Sequence, residues 1–387
     1  MRVLGVDPGT KSFDLVLLED GRVVWEHSVA TEDVARSPEA LVEAVREAGS
    51  FDAMAAPSGY GVPFTSNSDV VDARRFAVEV LLLSSEEALR RGLERGEPGI
   101  MVYVSLAEAV EWIWRSRLPA YYIPGVVHLP TVPPRRKYNR VDMGTADKLA
   151  VTALALHLYS RSRGVDPSEA SFVLVEAGYG YNAVIAVDRG VVVDGYGGTF
   201  STTGFLTIGP VDAEAVVAGG CWERSDVFHG GVSEACGTLD PYEALEFLRR
   251  GIEPCSSALE SMVEGLARLV VASSLVSTRG RARDVLVSGR LAGLVAGFLE
   301  ELLPEGFRVE RLGVLPGAAR SKHAAQGYAL VVEGALGGVF SRVVERMRVR
   351  DACGTVFDYL LHPRLREARE RLRRAYAESV RNPKFCC

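Results

Sequence analysis

The feature that most constrains this chain is a strand and turn pattern at its start that recurs near its middle. The run Leu4-Gly5-Val6-Asp7 ends at the turn Pro8-Gly9-Thr10 and resumes as Phe13 to Leu18. It turns at Asp20-Gly21 and resumes again at Arg22-Val23-Val24-Trp25. Three β-rich runs joined by two such turns predict an antiparallel meander. Later, Leu174-Val175-Glu176-Ala177-Gly178 leads into Val184 to Val187, a turn at Arg189-Gly190, and Val191 to Val193. Asp7 falls on Glu176, Gly9 on Gly178 and Gly21 on Gly190, each 169 positions on and without a gap. An acid and two glycines at matched offsets, inside matched strands, predict two related halves.

The 387 residues suit two domains, and 48% hydrophobic residues are enough to bury two sheets. A net charge of -6 gives no electrostatic reason to expect a nucleic-acid partner. Arginine far outnumbers lysine, which occurs only at Lys11, Lys137, Lys148, Lys322 and Lys384, and glutamine occurs once, at Gln326. That bias hints at a hot habitat, although genomic base composition produces the same one. No apolar run reaches membrane-spanning length, and the chain enters a strand at once, so the expectation is a cytoplasmic protein without signal peptide or membrane partner. The six cysteines form no CxxC pair and no zinc spacing. They are expected to be reduced, mostly buried thiols, with Cys386 and Cys387 an exposed, incidental pair.

Between the meanders, the pattern predicts a helix over 37–48, a buried strand over 51–56 ending in the loop Pro57-Ser58-Gly59-Tyr60-Gly61, and helices near 72–83, 85–95 and 104–117. Short strands are expected at 121–123 and 126–129, then a polar, Pro-rich loop over 130–140, then a helix from Asp142-Met143-Gly144-Thr145-Ala146-Asp147-Lys148 to about Tyr159. After the second meander come a Gly/Thr-rich loop over 195–209, helices near 241–250 and 256–277, a strand over 284–290, a helix over 291–303, a strand over 307–312 and a small-residue helix over 318–334. From Phe340 the chain reads as charged helix with a break near His362-Pro363. The domains are set at 1–162 and 163–340, with a helical extension over 341–387. Meander, strand–helix units and small-residue helices used twice predict two α/β domains facing one cleft.

Five constellations could carry chemistry. Asp7 with Gly9, Thr10 and Lys11 could place an acid and a phosphate-holding turn together, though Asp-Pro-Gly is also an ordinary turn signal. Glu176 with Gly178, Tyr179 and Gly180 duplicates it, or is simply a tight hairpin. Ser288-Gly289-Arg290, with Gly317 and the helix holding Gln326-Gly327, could let backbone approach a ligand, or is common α/β turn chemistry. Asp147, in Gly144–Lys148, could orient or deprotonate an acceptor, or cap its helix; Asp142 is read as a cap. Arg135, Arg136 and Arg140, around Lys137, suit a carboxylate or phosphate, or form a solvated loop.

In the order and spacing of these motifs, the chain resembles the superfamily of acetate and sugar kinases, heat-shock chaperone ATPases and actin. The Asp7 turn looks like its first phosphate motif, the Glu176–Gly180 turn like its second, and Val285 to Gly293 like its adenosine motif. Within that superfamily, the 57–61 loop, Asp142–Lys148 and Ala324 to Gly338 resemble an archaeal family labelled predicted butyrate kinase. Gly144–Lys148 also loosely resembles the Gly-x-Asp-Arg segment of type III pantothenate kinases, with an extra residue and with Lys148 in place of arginine.

The resemblance implies two duplicated actin-like (ribonuclease H-like) domains with an interdomain nucleotide cleft. It further implies an ATP- and Mg²⁺-dependent phosphotransferase acting on a small molecule, such as a short-chain carboxylate like butyrate. In that reading Asp7 and Glu176 organise the metal, and Asp147 orients or deprotonates the acceptor. Gly9, Thr10, Lys11, Gly178, Tyr179, Gly180, Ser288, Gly289 and Arg290 hold the nucleotide, while Ser58, Gly59, Arg135, Arg136 and Arg140 hold the acceptor. The alternatives are a nucleotide-switched ATPase that regulates a partner and a kinase-fold protein that has lost activity. The 342–381 segment would then be a partner surface, or would pack on the body or in a homodimer.

Overall fold

The computed structural model describes residues 1–96 and 98–386. The chain divides into two compact units: 1–170 with 189–192 and 313–387, and 171–188 with 193–312. The first unit holds β1 (Arg2–Pro8), β2 (Ser12–Glu19), β3 (Arg22–Ala30), β4 (Ala53–Ala55), β5 (Thr65–Ser66) and β6 (Ala120–Tyr122), in sheet order β3-β2-β1-β4-β6-β5. β1 to β3 form the expected antiparallel meander, while β4 runs parallel to β1 and β6 parallel to β4. The hairpin between β2 and β3 works because Asp20 and Gly21 both take positive φ, 49° and 78°, the backbone of a two-residue turn that matches strand twist.

The second unit holds β7 (Phe172–Ala177), β8 (Asn182–Asp188), β9 (Val191–Tyr196), β10 (Asp284–Ser288) and β11 (Arg308–Arg311), in order β11-β10-β7-β8-β9. Here too the β8–β9 turn places two residues at positive φ, Arg189 at 52° and Gly190 at 74°. The duplication read from the sequence therefore extends to backbone conformation. β10 is parallel to β7 and β11 to β10. Val173, Val175 and Val184 pack with Leu259, Met262 and Leu266 of the helix Cys255–Ala272 and with Val295 and Leu299 of the helix Ala292–Leu302.

The helix His323–Ala335 lies on the first sheet, and the helix Ala146–Arg163 packs against it. The first of these is buried on every side, as expected of a helix that is apolar all round. Two glycines permit its position. A Cβ on Gly5 of β1 would collide with the Ala325 carbonyl and the Ala329 amide, and one on Gly327 would collide with the Ala150 carbonyl of the neighbouring helix. Gly327 therefore serves helix packing and not ligand approach. Residues 313–340, which the expected C-terminal domain included, cluster with the first unit, and so does the 341–387 extension. Sequence order alone cannot show which sheet a helix covers.

Three further expectations change. Residues Val126–His128 form a 3-10 turn in place of a strand. The Pro-rich loop contains the short helix Pro134–Lys137, and Lys137, on a segment read either as ligand-holding or as a solvated loop, is 2% exposed; its ammonium donates to the Leu129 carbonyl at 2.8 Å and lies over the Tyr359 ring. The cysteines are not all thiols. Cys236 and Cys255 are bonded with Cα atoms 4.3 Å apart, and Cys353 and Cys386 with Cα atoms 5.1 Å apart. Cys221 is the free, exposed cysteine among the described residues, and Cys387 lies outside them. Residues 19 and 33 positions apart carry no sequence sign of the tertiary approach that a disulfide needs. No helix among the described residues is long and apolar enough to cross a membrane.

Each crosslink closes a loop that costs the unfolded chain roughly 3–4 kcal/mol of conformational freedom. Thermal unfolding with and without a strong reductant should therefore show a clear drop in midpoint on reduction, and Cys353→Ser should reproduce part of it. Gly327→Ala should also lower stability, by about 1–3 kcal/mol, because the added methyl meets backbone and not a movable side chain. Denaturant midpoints measure this cost directly.

Candidate functional site

In the first unit, β1, β4 and β6 run parallel, and the site forms where their C-terminal ends meet the start of the Ala146–Arg163 helix. This edge is the usual ligand side of an open α/β sheet. The loops after β4 and β6 are sewn to the segment before the helix. The Ala146 amide donates to the Gly59 carbonyl at 3.2 Å, and the Val126 amide to the Gly144 carbonyl at 2.8 Å. Gly59, at φ 51°, packs so closely on the Leu81 carbonyl that a Cβ would not fit. Ser58 is fully buried, accepts from the Ile123 amide at 3.0 Å and donates to the Ala56 carbonyl at 2.8 Å. Both residues shape this edge from beneath.

Asp7, at the end of β1, is 4% exposed. Its partner across the antiparallel pair is Asp14 of β2, also buried. Lys322, which immediately precedes the His323–Ala335 helix, reaches this pair from the far end of the chain. Its ammonium lies 2.5 Å from Asp14 Oδ2 and 3.7 Å from Asp7 Oδ2, and it donates to the Ser12 carbonyl at 2.9 Å. Ser12 Oγ donates to Asp14 Oδ2 at 2.8 Å. Gly9 closes the turn by giving its amide to the Ser12 carbonyl at 3.0 Å, and Thr31 Oγ1 donates to the Gly9 carbonyl at 2.7 Å. A Cβ on Gly9 would collide with the Lys322 ammonium. Gly9 thus makes room for a lysine, while Thr10 and Lys11 stand exposed at the tip of the turn.

Asp147 lies in the first turn of its helix. Lys148 Nζ donates to Asp147 Oδ2 at 2.5 Å, and the Thr145 hydroxyl donates to Oδ1. Asp142, expected to cap the helix, instead accepts from the Gly144 amide at 2.8 Å in the turn before it, and the helix N-cap is Thr145. Burial works against ionisation of Asp147, but the Lys148 charge and the hydrogen bonds from Lys148 and Thr145 outweigh it and hold the carboxyl below its ordinary value. Asp7 goes the other way. Burial pushes its carboxyl up to about 7, Lys322 opposes the rise, and the charges of Asp147 and Asp14 add to it. Tyr328, fully buried on the His323–Ala335 helix, is pushed well above its ordinary value by burial and by the charges of both Asp147 and Asp7, with hydrogen bonding to Ser58 in opposition. Asp7, Asp14, Asp147, Lys148, Lys322, Tyr328 and Ser58 therefore form one electrostatic neighbourhood. Two carboxyls whose surroundings push them in opposite directions are a frequent mark of a functional site.

The second unit carries the duplicate turn. Glu176 is 9% exposed and pairs with Ser288 of β10 in register. Gly289, at φ 98°, sits where a Cβ would collide with the Ala177 carbonyl and approach Glu176 Oε1 at 2.7 Å. Ser288 is buried and Arg290 exposed. The Gly180 carbonyl accepts from Thr207 Oγ1 at 3.0 Å, and a Cβ on Gly178 would collide with the Tyr181 carbonyl. Tyr179 is buried with its hydroxyl donated to the Leu239 carbonyl at 2.5 Å, so it anchors the turn. The position that duplicates Asp14 is Ala183, which faces Glu176 across the strand pair. The acid pair belongs to the first unit alone.

Arg135, Arg136 and Arg140 lie on the segment above the buried Lys137. Its backbone contacts run to the C-terminal part of the chain, with the Asn139 amide donating to the Tyr359 carbonyl at 3.0 Å and Asn139 Oδ1 accepting from the Leu361 amide at 2.9 Å. Arg135 is exposed and the other two half-buried. Sequence reasoning missed Lys322, Asp14 and Tyr328. The rarity of lysine was the available signal, since two of the chain's five lysines, Lys148 and Lys322, meet at this site.

Solved structures share the architecture. Porphyromonas gingivalis acetate kinase is 13% identical with a TM-score of 0.55, over 84% of this chain and 97% of that one. A propionate kinase from Francisella tularensis subsp. tularensis SCHU S4 is 10% identical with a TM-score of 0.57, over 85% and 98%. Entamoeba histolytica acetate kinase is 12% identical with a TM-score of 0.51, over 78% and 85%. The chain thus has the α/β, duplicated actin-like fold of the acetate kinases, with two mixed sheets. It belongs to the family described as "Protein of unknown function (DUF1464)", whose pattern matches residues 5–362. No curated protein matches it.

A carboxyl with a raised folded value stabilises the fold while protonated. That contribution is whole below the unfolded value of 3.8 and is lost as pH rises through about 7. Asp7→Asn, which is neutral at every pH, should match the wild type in unfolding free energy near pH 4 and exceed it at pH 8 by an amount on the order of a few kcal/mol. Unfolding curves across that range check the sign.

Proposed function

We propose that this protein is an ATP- and Mg²⁺-dependent phosphotransferase acting on a small molecule, with a short-chain carboxylate such as butyrate as the acceptor class. The observation that carries this reading is that Asp7, at the end of β1, and Asp147, in the first turn of its helix, feel each other's charge, each with a lysine beside it, in a fold shared with acetate and propionate kinases. Phosphoryl transfer asks a protein mainly for positioning and charge stabilisation, which this arrangement offers.

The protonation of Asp147 bears on the acceptor. A carboxylate held below its ordinary value by Lys148 and Thr145 is a poor proton acceptor near neutrality, so it suits orienting an acceptor better than deprotonating a hydroxyl. A carboxylate acceptor is already ionised and needs no base. Arg135, Arg136 and Arg140 remain the proposed acceptor-holding residues. Thr10 and Lys11 are proposed for the phosphates, and Gly178, Gly180 and Gly289 of the second unit for close backbone approach to the nucleotide.

No group of three or more His, Cys, Asp or Glu that could hold a metal ion occurs among the described residues. Mg²⁺ is commonly held by one carboxylate with water and substrate phosphates, and Asp7 fits that single-carboxylate role. When bound, the ion would supply neutralisation of phosphate charge. Glu176 remains the proposed acid of the second unit.

Phosphorus-31 NMR of the full chain with Mg·ATP and a panel of short-chain carboxylates and small alcohols tests this. ADP and one acyl phosphate should form together, and Asp7→Asn should abolish the reaction. Asp147→Asn should cost no more than about tenfold for a carboxylate acceptor, but about 10²- to 10⁴-fold if the acceptor is a hydroxyl that needs a base. Slow ATP hydrolysis that no acceptor alters would instead favour a nucleotide-switched protein.

A further inference from the structure

The acid pair poses a problem that a metal ion usually solves. Asp7 and Asp14 face each other across an antiparallel pair, where like charges directly opposed are destabilising. Three oxygens, from Asp14, the Ser12 carbonyl and Asp7, surround the Lys322 ammonium at 2.5, 2.9 and 3.7 Å. That is an oxygen set of the kind that receives a hard cation. We propose that Lys322 is the resident cation of this site: its ammonium stands where a metal ion would otherwise bridge Asp7 and Asp14, and it meets the oxygens of an incoming phosphate. The second half of this claim rests on reading the Asp7 turn as a phosphate site.

The surroundings are built for that use. The Gly9 amide is spent on closing the turn, and the Lys322 ammonium beside it supplies a full positive charge. Gly9 leaves open the volume that the ammonium fills. The Lys322 side chain is 30% exposed, so solvent and solutes reach it, whereas both of its acid partners are buried. Lys11 and Thr10, exposed at the tip of the same turn, extend the polar surface beside it.

The backbone carrying Lys322 is pinned on both sides. The Glu26 carboxylate of β3 accepts from three consecutive amides, Ala319 at 3.2 Å, Arg320 at 2.6 Å and Ser321 at 3.0 Å. Burial opposes ionisation of Glu26, but these bonds, led by those from Ser321, hold its carboxyl below its ordinary value. Gln326, the chain's one glutamine, accepts from the Leu315 amide at 2.9 Å and donates to the Ser321 carbonyl at 3.1 Å. The loop that delivers the lysine is therefore fixed, and its long stem is the part left able to turn from the acids toward a phosphate. Glu26 is a positioning residue that acts through Lys322.

Calorimetric titration of the full chain with sodium pyrophosphate, in buffer containing a chelator, tests the proposal. The wild type should bind without any divalent ion. Lys322→Met, which keeps the apolar stem, should weaken that binding by about tenfold or more, as expected for loss of a charge-assisted contact. The same variant, with its acids no longer neutralised, should bind Mn²⁺ in the absence of any phosphate more tightly than the wild type does, read by electron paramagnetic resonance. Glu26→Gln should weaken pyrophosphate binding by a smaller factor with the thermal midpoint nearly kept. Equal affinity in the wild type and Lys322→Met would overturn the proposal, and so would wild-type binding that demands a divalent ion. If Lys322→Met fails to fold, Glu26→Gln decides: unchanged affinity overturns the proposal, and a loss supports it. Failure of phosphoryl transfer to any acceptor would defeat the kinase reading but leave this result standing.

Discussion

The interaction on which the first unit depends is the bridge from Lys322 to Asp14 and Asp7. Two carboxylates set opposite each other in adjacent strands, and shut away from water, cannot both be ionised without a counter-charge. The counter-charge comes from more than 300 residues away. Bringing it there requires the His323–Ala335 helix to lie on β1, which requires glycine at position 5, and requires that helix to cross Ala146–Arg163 closely, which requires glycine at 327. The Glu26 carboxylate then fixes the loop before the helix. One electrostatic need thus runs through the packing of both helices and accounts for why residues 313–387 fold with the first unit.

The two halves share a plan and differ in charge. Matching hairpins with paired positive φ values, matching strand order and an acid at the end of the central strand survive in both. Yet where the first unit has Asp14, the second has Ala183, and where the first has Asp7, the second has the longer Glu176. The second acid therefore sits beside Gly289 without a facing acid, while the first sits in a neighbourhood of opposed charges. The duplication supplied two copies of a turn, and the tuned carboxyls lie around only one of them.

Much of this was legible in the residues. The repeat, the hairpins, the strand ending at Asp7, the helix opening at Asp147 and the tight turn at Gly289 are local features, set by periodicity and turn chemistry within a few residues. What escaped is what tertiary approach creates. Lys322 fell inside the small-residue helix expected over 318–334, Asp14 lay unremarked within a strand, and Gln326-Gly327, on that helix, left ligand approach and ordinary turn chemistry both open where it is a pinning and packing device. Lys137 lies among arginines in a segment whose pattern suits either a ligand or solvent, and the fold closes over it instead. The disulfides could not be seen because neither pair is close in sequence, and a chain without CxxC motifs reads as reduced.

The most direct test of the site is a carbon-13 NMR titration of the aspartate side-chain carboxyls in the free protein, with Asp7 assigned by its substitution. An electrostatically tuned site places the Asp7 midpoint near 7, with Asp147 below the usual aspartate range. An Asp7 midpoint at or below about 4, the value of an unperturbed aspartate, would mean that Asp7 belongs to an ordinary solvated ion pair, and the central role given to it here would be contradicted.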